Sequence, residues 1–327
     1  MGTLEGVLRY ALSRILWTIP TLLVVVTLLF FMLRAIGGSP LRHGPFLGLS
    51  AAVWTKYGDP QPQSIASNMT RKYALDEPWW RQYLNYLEGI ARLDLGPSLT
   101  FKNRTVNEIV REQAPVSLEL GALAVFWALA IGVPAGMLCA LRRNSTLDVV
   151  TRLVTGVGVA VPAFLIATML IYVVSLRLDW LPTSGWGATW KQAVLPSLTL
   201  ALLPAAWITR LLRASMLEAL ESDYVRAARA RGLRRTRVVG VHALRNAAVP
   251  AVTATAPLLG LLLTGSFVVE AVFGIPGIGR YFVAAVAARD YPVVMGLTLL
   301  LTVVIVLANL VADLLHGALD PRVREAR

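Results

Sequence analysis

The sequence predicts an all-α, polytopic membrane protein with six transmembrane helices and cytoplasmic N- and C-termini. Three observations predict it. The 327-residue chain is 56% apolar and only 15% charged, whereas a soluble domain carries about a quarter charged residues to cover its surface. It contains six apolar runs of roughly the 20 residues that cross a hydrocarbon core about 30 Å thick as a helix. Its arginines gather in alternate connecting segments, as expected when Lys and Arg are retained on the cytoplasmic side. Disorder is excluded, because a disordered polycation combines its charge with a scarcity of apolar residues.

The first run, Ile15–Leu33, is uncharged between Arg14 and Arg34, with Pro20 near its start, where a missing N–H is tolerated. Its core is longer than that of a secretory signal and no A-x-A-like site follows, so it reads as a retained anchor. Leu120–Leu141 ends at Arg142 and Arg143, and Leu153–Leu176 is interrupted by Pro162. Ala193–Leu212 carries Pro196 and Pro204, with Arg210 placed to snorkel at one end. Ala247–Val269 is rich in Ala, Gly, Thr and Pro, and Val293–Leu314 holds Asn309 and Asp313 near its inner end. With the amino terminus inside, seventeen arginines fall on the inner side, nine of them between Arg210 and Arg245; the two short outer loops hold only Arg177, Lys191, Arg280 and Arg289. Orientation thus accounts for most of the net charge of +12. No nucleic-acid partner is expected, since that charge is not gathered on a folded face.

The chain divides into an N-terminal segment with the first transmembrane helix (1–36), an extracytoplasmic, partly helical segment (37–115), and a five-helix transmembrane core (116–327) with a cytoplasmic loop at 213–246. In the outer segment Trp79, Tyr83, Tyr86, Leu87 and Ile90 recur at helical spacing, as do Val106, Ile109 and Val110. Its first half is punctuated by Gly and Pro like a loop. It reads either as a small cap on the helices or as a docking surface or gate for an outer partner.

Two stretches carry candidate functional residues. In the inner loop, Asp223 suits the first turn of a short helix, Ser222 is placed to cap it and Gly232 to end it in a left-handed turn. Tyr224, Ala227, Ala228 and Arg231 fall on one side, where a partner could approach over two small residues within a polar rim. A solvated Arg-rich loop explains the charge equally well but not the Ala-Ala and Gly arrangement. A second short helix, Thr236–Arg245, returns the chain to the membrane. The fifth run offers Thr253, Thr255, Gly260, Thr264 and Ser266, with Glu270 at its outer end: a polar, bendable helix better suited to lining a cavity than to facing lipid. Glu119 and Glu270, near outer ends of spans, serve either substrate contact or structural hydrogen bonding. Gly132 and Gly136 form a small-xxx-small pair that signals helix contact. His43, His242 and His316 are scattered and give no metal-ligand spacing, and Cys139 is a lone residue in an apolar run.

The inner loop resembles that of the membrane subunits of ATP-binding-cassette importers, which carry Glu-Ala-Ala, three residues, Gly and a later Pro. Here stand Arg226-Ala227-Ala228, three residues, Gly232 and, after a longer interval, Pro250. The departures themselves resemble the dipeptide, oligopeptide and nickel branch, as do Tyr224 through Gly232 and His242-Ala243-Leu244-Arg245-Asn246-Ala247. Asp94 through Ser98, Leu195 through Leu200, Phe273 through Gly279, Arg289 through Pro292 and Leu319 through Arg322 are similar to stretches of the same permeases, and the long outer segment resembles the first of their two permease subunits. The resemblance implies the type I importer permease fold in a bacterial inner membrane. It implies a transport subunit that is not itself an enzyme, importing di- or oligopeptides, with nickel or another small solute as the alternative and an ATP-independent carrier as the more distant one. The implied partners are a second, homologous permease forming a heterodimer, two cytoplasmic ATPases, an extracytoplasmic substrate-binding protein and membrane lipid. Asp223, Tyr224, Arg226, Ala227, Ala228, Arg231 and Gly232 would then be the coupling segment seated on an ATPase. No G-x-x-x-x-G-K-[ST] occurs in the chain, so ATP and Mg are expected on the partner subunits and no cofactor or metal on this one.

Overall fold

The computed structural model describes residues 16, 19–32, 35, 77–101, 104–263 and 266–319, and within these not the side chains at 249, 252–254, 256, 257, 259, 263 and 312–319. Among the described residues the protein is helical, with no strand beyond an isolated bridge between Pro97 and Thr105. The helices are α1 (Ile19–Met32), α2 (Trp79–Ala91), α3 (Val106–Leu141), α4 (Thr146–Ala160), α5 (Ala163–Leu170, continued by a π-helical stretch Ile171–Arg177) and α6 (Lys191–Glu221). They continue with α7 (Asp223–Ala230), α8 (Arg235–Arg237, running through a π-helical stretch Val238–Ala243), α9 (Leu244–Leu263), α10 (Phe267–Val272), α11 (Ile278–Ala288) and α12 (Tyr291–Leu319).

Among the described residues three helices, α3, α6 and the Tyr291–Val311 part of α12, are long and apolar enough to cross a bilayer. α4 and α5 qualify only as a pair, bent by 111°. The break falls at Pro162, which cannot donate to the ladder and holds the preceding Val161 extended (ψ 126°). The expected third span is therefore two helices at a sharp angle. The expected outer helix at Val106 and the span at Leu120 are instead one 36-residue helix, α3. The helix expected at Thr236–Arg245 is present from Arg235, but it is not separate, because the π-helical turn carries it straight into α9. Of the first run, the described helix covers Ile19–Met32. The loop-like first half of the outer segment lies outside the described residues.

The chain forms two compact units: Met1–Ile19, Val116–Pro276 and Val303–Arg327 make one, Pro20–Pro115 and Gly277–Thr302 the other. In the first, Leu120, Ala124, Ala128, Leu195, Ala201, Ala205 and Ile208 form an apolar core between α3 and α6. Small residues set the spacing there. A Cβ on Gly132 would lie 2.9 Å from the Ala205 carbonyl oxygen and from Ile208, and one on Gly136 would lie 2.8 Å from the Thr209 carbonyl oxygen. The helix-contact signal of this pair is thereby realised, backbone close to backbone.

In the second unit Val106, Ile109, Ala114, Ile278, Ala285, Val293, Val294 and Leu297 form the core. Two stretches distant in sequence meet at the buried Asp290. It accepts hydrogen bonds from the Ser98 hydroxyl and from the Thr100 N–H at 2.9 Å, and caps the start of α12 by accepting from Val293 N–H at 3.4 Å. The Asp94–Ser98 and Arg289–Pro292 stretches are thus two halves of one structural joint.

Candidate functional site

The segment expected as the inner loop begins where α6 ends. Ser222 takes an extended backbone (φ −71°, ψ 155°) and turns the chain into α7. Its hydroxyl does not cap α7 as expected. It donates back to the Ala219 carbonyl, closing the last turn of α6, so the α7 amino end depends on Asp223 in its first turn. At the other end the expected left-handed close is present. Gly232 has φ +75°, its N–H donates to Arg229 at 2.9 Å and the Leu233 N–H to Ala228 at 3.4 Å. This is the two-bond closure that terminates a helix in a left-handed residue.

The faces of α7 differ from the expected arrangement. Ala228 does not share an open side with Tyr224, Ala227 and Arg231; it is 6% exposed and joins Val225 in a core with Leu212, Met216, Ala219, Val238 and Ala247. The pair Val225 and Ala228, three residues apart, fastens α7 onto the ends of α6 and α9. Tyr224 and Ala227 remain exposed, as do Asp223, Arg226 and Arg231. Arg226 pairs with Asp223 on the same helix at 2.8 Å, both groups open to solvent, so the pair adds little stability. The result is a short, firmly seated helix presenting one small residue between polar neighbours.

Arg213 and Asp148 form a further element, joining α6 to the start of α4, that the sequence pattern does not reveal. Ser145 caps α4 by accepting from Asp148 N–H, and the Asp148 carboxylate accepts from Asn144 N–H at 3.0 Å. The Arg213 guanidinium on α6 then donates twice to that carboxylate, Nε to Oδ1 at 2.6 Å and Nη2 to Oδ2 at 2.8 Å, while Arg152 approaches within 3.7 Å. Asp148, which precedes the apolar run beginning at Leu153, is 0% exposed and Arg213 18%. The Arg213 hydrogen bonds outweigh the effect of burial and hold the carboxyl down at about 2. The spacing Ser145-x-x-Asp148 is a capping signature, but nothing local names Arg213 as its partner among nine loop arginines.

Four of the expected path-lining residues have described side-chain surroundings: Thr255, Gly260, Ser266 and Glu270. Thr255 is buried and its hydroxyl donates to the Ala251 carbonyl of its own helix at 2.7 Å. Gly260 lies where a Cβ would stand 3.0 Å from Ala308, which marks a contact between α9 and α12. Ser266 caps α10, accepting from Val269 N–H at 3.4 Å. Glu270 is 0% exposed and accepts from the Ser117 hydroxyl at 2.7 Å, whereas Glu119 is exposed. Thr255, Gly260 and Glu270 therefore face the protein's own interior, because polar groups in an apolar setting are satisfied locally. The Thr253 side chain and the whole of Thr264 lie outside the described residues. Among the described residues no group of His, Cys, Asp and Glu is arranged to hold a metal ion.

Residues 132–325 match the family described as the inner membrane component of binding-protein-dependent transport systems. The chain is 37% identical, over 97% of its length and 99% of the other, to the oligopeptide transport system permease protein OppB of Haemophilus influenzae. It is 39% identical over the same shares to OppB of Salmonella typhimurium, and 38% identical to the dipeptide transport system permease protein DppB of Bacillus subtilis, over 97% and 98% of the two chains. Among solved structures, an inward-facing MetNI methionine ABC transporter chain is similar with a TM-score of 0.53 and 19% identity, over 65% of this chain and 96% of that one. The last likeness speaks to the fold.

Proposed function

The chain belongs to the family of inner-membrane components of binding-protein-dependent transport systems, and from that premise we propose that it is a permease subunit of an ATP-driven importer of dipeptides and oligopeptides. The observation that carries the reading is the end-to-end similarity to peptide permeases, which leaves neither chain with an unmatched domain. In this reading the chain is a multi-pass protein of a bacterial inner membrane with six spans and cytoplasmic termini. A second permease supplies the other half of the path, an extracytoplasmic protein delivers the peptide, and two cytoplasmic ATPases supply the energy.

The inner end supports a coupling role. The exposed row Asp223, Tyr224, Arg226, Ala227 and Arg231 seats on an ATPase, with Gly232 setting the turn beyond it. Val225 and Ala228, locked into the core beneath, pass its displacement to α6 and α9 as a rigid-body movement. A path for varied peptides is wide and wet and binds weakly. Thr255 and Glu270 then support the wall from behind rather than touch the cargo.

The test is uptake of labelled dipeptides and oligopeptides by proteoliposomes containing the complete transporter. Ala227→Trp, on the exposed face, should abolish peptide-stimulated ATP hydrolysis and uptake while the protein still assembles in the membrane. Normal transport by that variant would overturn the coupling role. Uptake of nickel but not peptide would overturn the substrate class, and uptake without the ATPases would overturn the energy source.

A further inference from the structure

We infer that α2 is an interfacial anchor: a short amphipathic helix lying along the membrane–water boundary beside the end of α1, with its apolar stripe in lipid. The argument begins with the helix itself. Its 13 residues reach only about 20 Å, too short to span a bilayer. On a helical wheel Trp80, Leu84, Leu87 and Ala91 form one stripe at spacings of four, three and four, and Arg81, Asn85, Glu88 and Arg92 form the neighbouring polar arc. Trp80 is 45% exposed and Leu84 54%. Arg81 stacks over the Trp80 ring at 5.2 Å, which places a cation at the aromatic edge, and Arg92 pairs with Glu88 at 2.6 Å along the polar arc. Exposed Trp with flanking Arg and an aliphatic stripe is the composition of helices that lie in the headgroup region.

The contacts with α1 supply the second line. The face of α2 next to the stripe holds Trp79 and Tyr83, which pack on Phe30 and Phe31 with ring centroids 5.3 to 6.3 Å apart, and the Tyr83 hydroxyl bonds that of Thr27 at 2.7 Å. These partners sit in the last turns of the first apolar run, at the level where a membrane span leaves the hydrocarbon. Phe31 lies beside Trp79, and Thr27, Phe30 and Phe31 lie beside Tyr83, so the amino-terminal turns of α2 are held against the end of α1. On α1 itself Leu23, Val24, Leu28 and Met32 are exposed. The α2 stripe thus stands on a helix fastened to one whose own exposed apolar residues need a lipid environment.

This rests on α1 being a membrane span and not on the cargo, so it stands or falls apart from the peptide reading. The test places single spin labels at Leu84, Leu87 and Ala91 and, separately, at Asn85 and Glu88, in a full-length Cys139→Ala background. The protein is reconstituted in nanodiscs of phosphatidylethanolamine and phosphatidylglycerol. Collision with oxygen should exceed collision with a water-soluble nickel chelate on the stripe, and the ratio should invert on the polar arc. Water-dominated values at all five positions would overturn the proposal, as would lipid-dominated values at all five. Stripe labels shielded from both reagents would show a protein partner instead and also overturn it. Should labelling disturb folding, quenching of the unlabelled protein by lipids brominated near the headgroup, compared with a Trp80→Phe variant, gives a second reading: equal quenching of the two would count against the anchor.

Discussion

Replacing Arg213 by Met removes both donors from the Asp148 carboxylate while keeping most of the side-chain volume. The carboxyl is held from an ordinary 3.8 down to about 2. That is roughly two pH units at about 1.4 kcal/mol each, so the interactions of the ionised carboxylate, Arg213 foremost with Asn144 and Arg152 behind it, outweigh its burial by about 2.5 kcal/mol. Without Arg213 the buried carboxylate keeps only the Asn144 N–H at 3.0 Å and Arg152 at 3.7 Å. A charge left uncompensated in a buried site costs about 3–5 kcal/mol, an upper bound here because the group protonates to escape it. Asp148→Asn should cost about 1–3 kcal/mol through its lost hydrogen bonds, and the double variant should fall short of the sum of the single costs by about 2 kcal/mol. Thermal unfolding in detergent, followed by tryptophan fluorescence, reads these costs as melting shifts. The folded carboxyl has the depressed pKa, so the pair's contribution is complete above the unfolded value of about 3.9 and is lost as pH falls toward 2. Burial raises the carboxyl pKa once Arg213 is gone, so the gap between the native chain and Arg213→Met should begin to close as pH falls through that raised value, above about pH 4, and finish closing near pH 2. Additive single effects, or a gap that does not change over that pH window, would refute the ion-pair account.

Gly132→Val should lower the melting temperature by an amount corresponding to about 1–3 kcal/mol, because its branches enter the space of the Ala205 carbonyl and Ile208; an unchanged melting point would mean that α3 and α6 do not cross there. Gly232→Val should cost about 1–3 kcal/mol from its φ of +75° alone, since open space surrounds the position, and Gly232→Asn, which tolerates that region, should restore most of the loss in the same melting assay. Ser98→Ala should cost about 1–3 kcal/mol by withdrawing a hydroxyl from the buried Asp290 carboxylate, measured as faster protease cleavage in the 92–105 loop than in the native chain. Ala228→Trp should fail to accumulate in the membrane where Ala227→Trp accumulates normally, since only the former side chain is buried; equal abundance on a membrane immunoblot would contradict the seating of α7.

The sequence by itself determined what depends on local chemistry. The order of the apolar runs, the break at Pro162, the α2 helix from its aromatic spacing, and the close of α7 at Gly232 all follow from residue type and period, because a missing N–H, a missing Cβ and helical geometry act within a few residues. The family resemblance was legible for the same reason, being carried by short contiguous motifs. Tertiary structure alone decided which side of α7 is buried, that Thr255 and Glu270 turn inward, that the stretches at 94–98 and 289–292 close on one carboxylate, and that Arg213 rather than another loop arginine clamps Asp148. In a soluble protein an apolar position points inward and a polar one outward. Lipid removes that contrast, since positions facing lipid and positions facing a neighbouring helix are both apolar. The few polar groups then find partners tens or hundreds of residues away, and no spacing along the chain records the pairing.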